Sequence, residues 1–473
     1  MEGSVGYRGV FGVSFFLLLV LCKIPAQELQ SSNGMKQYCV PRLLAEWNAL
    51  YGDRGSMLAS GKTVLDAQSF VGMVQAVEQS NRNMTGGHVI NATDDTVKSN
   101  ELMHIRKAVL SVGSTVYCWG DIHGDISSLL SAITYLREQQ IIDDQLRIVQ
   151  PNTYIVSCGD FVDRGEHGAE VLYLLCLLKQ QNPDNVFLVR GNHEEVELNT
   201  RYGFYKECCE KFSPAGVNDL FSKVLISFYA SLPVALYVGI ERERRVFDFI
   251  QFCHGGLEFY DLRSLLAHPD KRAVEMIRSL NRSTVCVDAL GCAVSRYYHV
   301  NKSAITAIAD TVTTPSSTNI GFMWSDFNAG YRYKNQKIVP TDSTVTYYTP
   351  SRGFMFGRHL TEALATTIGG EARIVSIIRA HQHNASMPQL VSQAAMPNRS
   401  IYKLFSQDSP QVTVITTVLT TGYAPGRGFV KIEFPSADSG TWTLQGLWQA
   451  RGDSSVWEAH QKNTFAAWYN PVG

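Results

Sequence analysis

Five apolar runs in this chain end in the same way, and the repetition limits the folds open to it. "VYCWGDIHGD" (116–125), "NTYIVSCGDFVDRG" (152–165), "NVFLVRGNHEE" (185–195), "VFDFIQFCHGG" (246–256) and "RIVSIIRAHQ" (373–382) each pass from buried-strand residues straight into Asp, His, Asn or Arg. After the first run, Ile126, Leu129, Leu130, Ile133 and Leu136 recur at helical spacing, and after the second, Val171, Leu172, Leu175 and Leu178 share one helix face. Strand, polar turn and helix in repetition predict a layered α/β protein. One site would be built at the strand ends, where such folds place ligand and catalytic groups. A single motif is ambiguous, since Asp121 as a helix cap beside a stray surface His123 explains it as well as a metal pair does. Five motifs in one chain leave little room for chance.

The chain has 473 residues, 45% hydrophobic and 18% charged, enough to bury a substantial core in an elaborated α/β enzyme. A formal net charge of −1 gives no sign of a nucleic-acid or acidic-surface partner. Function must come from the site.

The N-terminus reads as a targeting segment. Arg8 precedes the apolar run "VFGVSFFLLLVLC" (10–22), short for a membrane span but suited to a signal-peptide core, with cleavage expected near Ala26. An uncleaved signal anchor is the alternative, and the only route by which a membrane would be a partner. Asn-X-Ser/Thr sequons at Asn83, Asn91, Asn281, Asn301, Asn384 and Asn398 favour a secreted or lumenal glycoprotein. Cys118, Cys158 and Cys253 fall inside expected strands and read as small buried hydrophobes, whereas Cys286 and Cys292 flank a polar loop and are the expected disulfide. The expected organisation is a signal peptide (1–26), an N-terminal helical region (27–105), a catalytic domain (106–450) and a C-terminal tail (451–473). Helices are expected through most of 36–110, interrupted by the sequon-bearing stretch 80–100.

Asp121 and His123 combine a carboxylate oxygen with an imidazole nitrogen, a mixed donor set suited to Mn, Fe or Zn. The ordered set "GDIHGD", "GDFVDRG", "RGNHE", "HGG" and "RAHQ" resembles the phosphoprotein phosphatase family of serine/threonine phosphatases, within the calcineurin-like metallophosphoesterases. "YGFYKECCEKF" (202–212), "MWSDF" (323–327) and "RGFMFG" (352–357) extend the resemblance over roughly residues 100–435.

The resemblance implies a four-layer α/β/β/α sandwich with loop insertions and two divalent metal ions per subunit, Mn²⁺ first, with Fe or Zn as alternatives. Asp160 would bridge the metals. Asp121 and His123 would complete the ligands of the first, and Asn192, His254 and His381 those of the second. Two ions about 3.5–4 Å apart can hold a bridging hydroxide and clamp a phosphate for in-line attack. His193 would protonate the leaving oxygen, with Asp163 orienting it. Arg164 and Arg352 would hold the phosphate oxygens by forked hydrogen bonds. Glu194 and Asp125 are expected to support the ligands without binding metal.

The implied activity is hydrolysis of phosphoserine and phosphothreonine on proteins, with a phosphoprotein as partner and regulatory subunits left open. Small-molecule metallophosphoesterase activity, for example on dinucleoside polyphosphates, is the alternative. A catalytically dead binding module is disfavoured because all six ligands and the acid are present. An adhesion role for "RGDS" (451–454) rests on a tripeptide match alone. The chain departs from the family pattern in the long gap between His254 and His381, in Phe327, and in "TTGYAPGRGF" (420–429). In that last stretch Arg427 is expected to border the cleft and Tyr423 could take a family tyrosine's place.

Overall fold

The computed structural model describes residues 40–52, 63–84, 103–241, 247–258, 260, 262–268, 270–277, 321–328, 346–349, 353–366, 372–383, 412–420, 426–434 and 441–450. It also describes short strands at 29–30, 36–37, 331–334, 337–340 and 401–404, together with residues 457–459 and 463–466. The expected signal peptide, Arg352, Tyr423, the RGDS tetrapeptide, Cys286, Cys292 and every sequon except Asn83 lie outside the described residues.

Two helices, α1 (Val40–Tyr51) and α2 (Ala67–Met84), precede the first long strand, β1 (Met103–Leu110). The repeating part follows as β2 (Thr115–Trp119), α3 (Ile126–Glu138), β3 (Thr153–Ser157), α4 (Gly168–Gln181), β4 (Val186–Leu188), α5 (Val196–Tyr202) and α6 (Phe204–Phe212). Next come β5 (Ala235–Glu241), β6 (Phe247–Cys253), β7 (Arg272–Ile277) and β8 (Ala372–Arg379). The chain continues with β9 (Ile401–Leu404), β10 (Thr413–Thr417), β11 (Gly426–Glu433), β12 (Thr441–Ala450), β13 (Glu458–Ala459) and β14 (Asn463–Ala466).

These strands form two sheets. One has the order β13-β12-β11-β2-β3-β4, with β14 also on β12, and the other runs β9-β10-β8-β6-β5-β1-β7. β2, β3 and β4 are mutually parallel, as are β6, β8 and β10, so the five motif-bearing strands fall into two parallel groups.

The two-residue period of the side chains builds the layers. Val116, Cys118, Val156, Cys158 and Phe187 face Leu236, Val238, Ile250, Phe252 and Ile378 of the other sheet in one apolar cluster. The alternate residues Tyr117, Trp119, Ile155, Val186 and Leu188 pack under the helices with Leu129, Ile133, Leu172 and Leu175. On the far face, Ile105, Tyr237, Phe249, Ile377 and Val414 meet Leu265, Phe322, Phe354 and Leu360. In β8 the alternation is broken by a bulge between Ile374 and Ser376, which puts Ile374 and Ile377 on the same face although they are three apart. The result is helix, sheet, sheet and a thin outer layer of short helices and strands, the α/β/β/α sandwich expected.

Four expectations need correction. Met103–Leu110 is a strand, hydrogen-bonded between β5 and β7, not part of a helical region. Its alternation, Met103 and Ile105 toward one face and Ala108 and Leu110 toward the other, is masked in sequence by the buried polar residues His104, Arg106 and Lys107. The sheet also continues past residue 450, since β13 and β14 both pair with β12. Asn83 lies exposed on the last turn of α2 instead of in a loop. Arg427 begins β11 and is 1% exposed, donating to the Ser127 carbonyl at 3.0 Å, so it does not border the cleft. The helices α1 and α2 join the main core, with the Trp47 ring 6.0 Å from Tyr173 and Phe70 stacked 5.3 Å from Phe212.

Candidate active site

The turns after β2, β3, β4, β6 and β8 converge. His123 (φ 48°), Asp160 (54°), Asp163 (69°), Arg164 (69°) and His381 (62°) all hold left-handed backbone, a conformation costly for non-glycine residues. Cross-links between turns sustain it. Ile122 and His123 N–H donate to the Asp160 carbonyl at 3.0 and 2.9 Å, and Gly165 N–H donates to the His123 carbonyl at 3.0 Å. Glu194 ties two turns together. Its buried carboxylate accepts from the N–H groups of Asp160 (2.8 Å), Phe161 (2.9 Å) and Gly191 (2.7 Å). That close approach needs Gly159, at φ 82°, where a Cβ would lie 2.4 Å from Gly191 N. Asp125 is the N-cap of α3, accepting from Ser128 N–H at 3.0 Å. Both carboxylates therefore support the turns, as expected.

Five of the expected ligands, Asp121, His123, Asp160, His254 and His381, come together. Asp160 accepts His193 N–H on Oδ1 at 2.9 Å, which turns Oδ2 toward His254 Nε2 at 3.1 Å and His123 Nε2 at 3.4 Å. One oxygen thus sits between two imidazoles, the disposition of a bridging ligand. Asp121 accepts His381 N–H on Oδ2 at 3.0 Å, while its buried Oδ1 accepts no hydrogen bond. Asn192 Oδ1 is likewise buried and accepts none. His123 Nδ1 donates to the Val162 carbonyl at 3.0 Å and His254 Nδ1 to the Cys158 carbonyl at 2.8 Å. Each bond sets the tautomer and leaves the Nε2 lone pair facing the centre, as metal-binding histidines require. His254 Nε2 and His381 Nδ1 face each other at 3.1 Å. Asp160, His254 and His381 form one group whose donor atoms all lie within 4.8 Å of one another. Buried carboxylate oxygens with no donor, grouped with imidazole nitrogens within 4.8 Å, fit divalent cations, and the unpartnered Asn192 Oδ1 is of the same chemical kind.

The electrostatics agree. Burial lowers the His123 pKa well below its ordinary value despite the opposing pull of Asp160, so this imidazole is neutral. For Asp160, burial raises the pKa, but His254 and His193 outweigh it and hold the carboxyl well below the usual range. His254 is pushed down most by burial, but Asp160, Asp121 and the Cys158 carbonyl together lift it, for a net rise.

Beside this cluster, His193 Nδ1 contacts Asp163 Oδ2 at 2.7 Å, and Arg164 donates to His193 Nε2 at 3.0 Å. The other arm of Arg164 reaches His383 Nε2 at 3.3 Å. Arg164 therefore stands at the rim with its fork facing the site.

His383 is the residue that sequence reasoning missed. Its Nε2 lies 3.3 Å from Asp121 Oδ1, and Asp121, His123 and His383 form a second group able to hold a cation. Its signal was available as His381-Gln-His383, the two-residue spacing that had singled out Asp121 and His123.

Among solved structures, a protein serine/threonine phosphatase from Saccharomyces cerevisiae with similarity to human phosphatase PP5 aligns at 19% identity, covering 86% of this chain and 92% of that one, with a TM-score of 0.43. A cold-active protein tyrosine phosphatase of a psychrophile, Shewanella sp., aligns at 14% identity over 78% of this chain and 85% of its own, with a TM-score of 0.37. The calcineurin-like phosphoesterase profile matches residues 114–385, a span that contains every converging turn and all of the candidate ligands. The chain belongs to the calcineurin-like phosphoesterase family.

Proposed function

We propose that this protein is a phosphoprotein phosphatase that hydrolyses phosphoserine and phosphothreonine monoesters, acting in the secretory pathway. The observation that carries the reading is the His193–Asp163 pair, 2.7 Å apart, tied through the His193 N–H to Asp160, whose other oxygen faces His123 and His254. A serine or threonine alkoxide is a poor leaving group and needs a proton as the P–O bond breaks. His193, oriented through Nδ1, would supply it from Nε2 as the imidazolium, once Arg164, which donates to that nitrogen here, turns to the phosphate.

Asp121, His123 and Asp160 would hold one divalent ion, and Asp160, Asn192, His254 and His381 the other. When bound, such a pair supplies charge against the phosphate oxygens and makes water acidic enough to attack phosphorus. The neutral Asn192 amide and the imidazoles keep the site from repelling a phosphate dianion. Arg164 adds a forked donor that can leave His193 and His383 for two phosphate oxygens. Arg352 is the second phosphate-holding cation in this reading. The secretory assignment rests on the apolar leader and the sequons. Among the described residues no helix is long and apolar enough to cross a membrane.

The test compares substrates on metal-loaded protein purified from a secretory fraction. Phosphoserine and phosphothreonine peptides should be hydrolysed with higher kcat/KM than a phosphotyrosine peptide or a dinucleoside polyphosphate. Preference for the dinucleotide would move the enzyme to the small-molecule class, and preference for phosphotyrosine would overturn the serine/threonine assignment.

A further inference from the structure

We propose that Asn199 is a positioning residue that holds the proton-donating pair His193–Asp163 in register with the substrate, an inference resting on the assignment of His193 as the acid. Asn199 lies on α5 and is fully buried, with each end of its amide engaged. Nδ2 donates to Asp163 Oδ2 at 3.0 Å and to the His193 carbonyl at 2.8 Å. Oδ1 accepts from the Tyr229 hydroxyl at 3.0 Å. Two acceptors on one side and one donor on the other allow a single orientation of the amide. Burial, followed by the charges of Glu194 and Asp163, raises the Tyr229 pKa well above its ordinary value, so the phenol remains a donor at any working pH.

One side chain thus grips the pair at two points, the carboxylate of Asp163 and the backbone of His193. The remaining oxygen, Asp163 Oδ1, accepts Phe204 N–H at 3.1 Å. That N–H is aimed by Gly203, whose φ of 118° turns the chain between α5 and α6. With both oxygens anchored, the Asp163 carboxylate plane is set, and with it the direction in which His193 presents Nε2. The side-chain hydrogen bonds of Asn199 all go to Asp163, His193 and Tyr229, so loss of the amide should act on proton delivery and leave the metal centre loaded.

The test uses full-length, Mn²⁺-loaded protein with two substrates of the same reaction. A phosphoserine peptide needs its leaving alkoxide protonated, whereas p-nitrophenyl phosphate releases a phenolate that needs little help. General-acid assistance is worth about 10²–10⁴ in rate, and misorienting the acid should forfeit part of it. Asn199→Ala should lower kcat on the peptide by roughly 10-fold or more, with a loss on p-nitrophenyl phosphate of no more than about 3-fold and unchanged metal content. Asn199→Asp, of the same shape but without the donors, should behave as badly on the peptide, because the role belongs to the N–H groups and not to volume. Tyr229→Phe removes only the oxygen that pins the amide. It should shift the ratio of the two rates in the same direction by a smaller factor, and it carries the test if the Asn199 variants fail to fold.

His193→Asn is measured alongside. If it selectively loses the peptide reaction while Asn199→Ala, or failing that Tyr229→Phe, damages both substrates equally or neither, the positioning role is overturned and the acid assignment stands. If His193→Asn itself shows no leaving-group dependence with metal retained, the acid assignment falls and takes this inference with it.

Discussion

Replacing Glu194 tests whether the site is assembled by its own polar cross-links. Glu194→Ala strands the N–H groups of Asp160, Phe161 and Gly191 in a buried turn with no acceptor. Each orphaned donor costs about 1–3 kcal/mol, so the variant should lose about 3–9 kcal/mol. That is a large share of the roughly 5–15 kcal/mol that holds an ordinary domain folded. Glu194→Gln should cost much less. Its amide oxygen can take the place of Oε2, which receives both Asp160 and Gly191, and only the Phe161 N–H then faces an NH₂ group. The expected loss is about 1–3 kcal/mol. Urea unfolding of chelator-treated protein reads the difference without a contribution from lost metal binding. The assay belongs at pH 8, because burial first, and then Asp160, push the Glu194 carboxyl up to about 7. Equal losses for the two variants, or a loss below about 1 kcal/mol for alanine, would refute the idea that this carboxylate holds the turns.

Lys179 should tie stability to pH. Its buried Nζ donates to the carbonyls of Pro183 and Val186 at 2.7 Å each, and burial, followed by Arg106, lowers its pKa from 10.5 to about 7. Between those values the unfolded chain binds the extra proton, so stability should rise with pH from 7 to 10 and Lys179→Met should flatten that rise, read as Tm across the range. Protein expressed in glycosylating cells should lose mass on enzymatic deglycosylation, and Asn83→Gln should shrink that shift; unmodified protein retaining Met1 would contradict the secretory assignment. His254→Asn should impair hydrolysis of both a phosphoserine peptide and p-nitrophenyl phosphate and reduce bound metal, whereas His193→Asn should spare metal and the activated ester. Reduced metal in His193→Asn would move that residue among the ligands.

Most of the site was legible because its ligands sit one to four residues beyond the ends of apolar strands, where local pattern and chemistry coincide. Asp121, Asp160, Asn192, His254 and His381 all follow that rule. What was missed depends on contacts that local pattern does not encode. β11 pairs with β2 through Val430 and Cys118, far apart in sequence, and this pairing carries Arg427 into the core next to Ser127. β1 was unreadable as a strand because three of its eight residues, His104, Arg106 and Lys107, are polar yet buried. His383 was passed over because it follows a strand end already occupied by His381, and only the folded turn brings it back to Asp121. Asn199 carries no motif at all. Its importance comes from Tyr229 and Asp163 meeting it from either side.

The central claim is that Asp160 joins two metal ions that drive phosphate-ester hydrolysis. Its most direct test is metal content and phosphoserine-peptide activity measured on the same samples of wild-type and Asp160→Asn protein, before and after chelation and Mn²⁺ return. Wild-type protein should carry two ions per chain, lose activity on chelation and regain it with Mn²⁺, while Asp160→Asn should bind both ions weakly and stay nearly inactive. Activity that survives chelation, or Asp160→Asn protein with wild-type metal content and wild-type rate, would contradict the account.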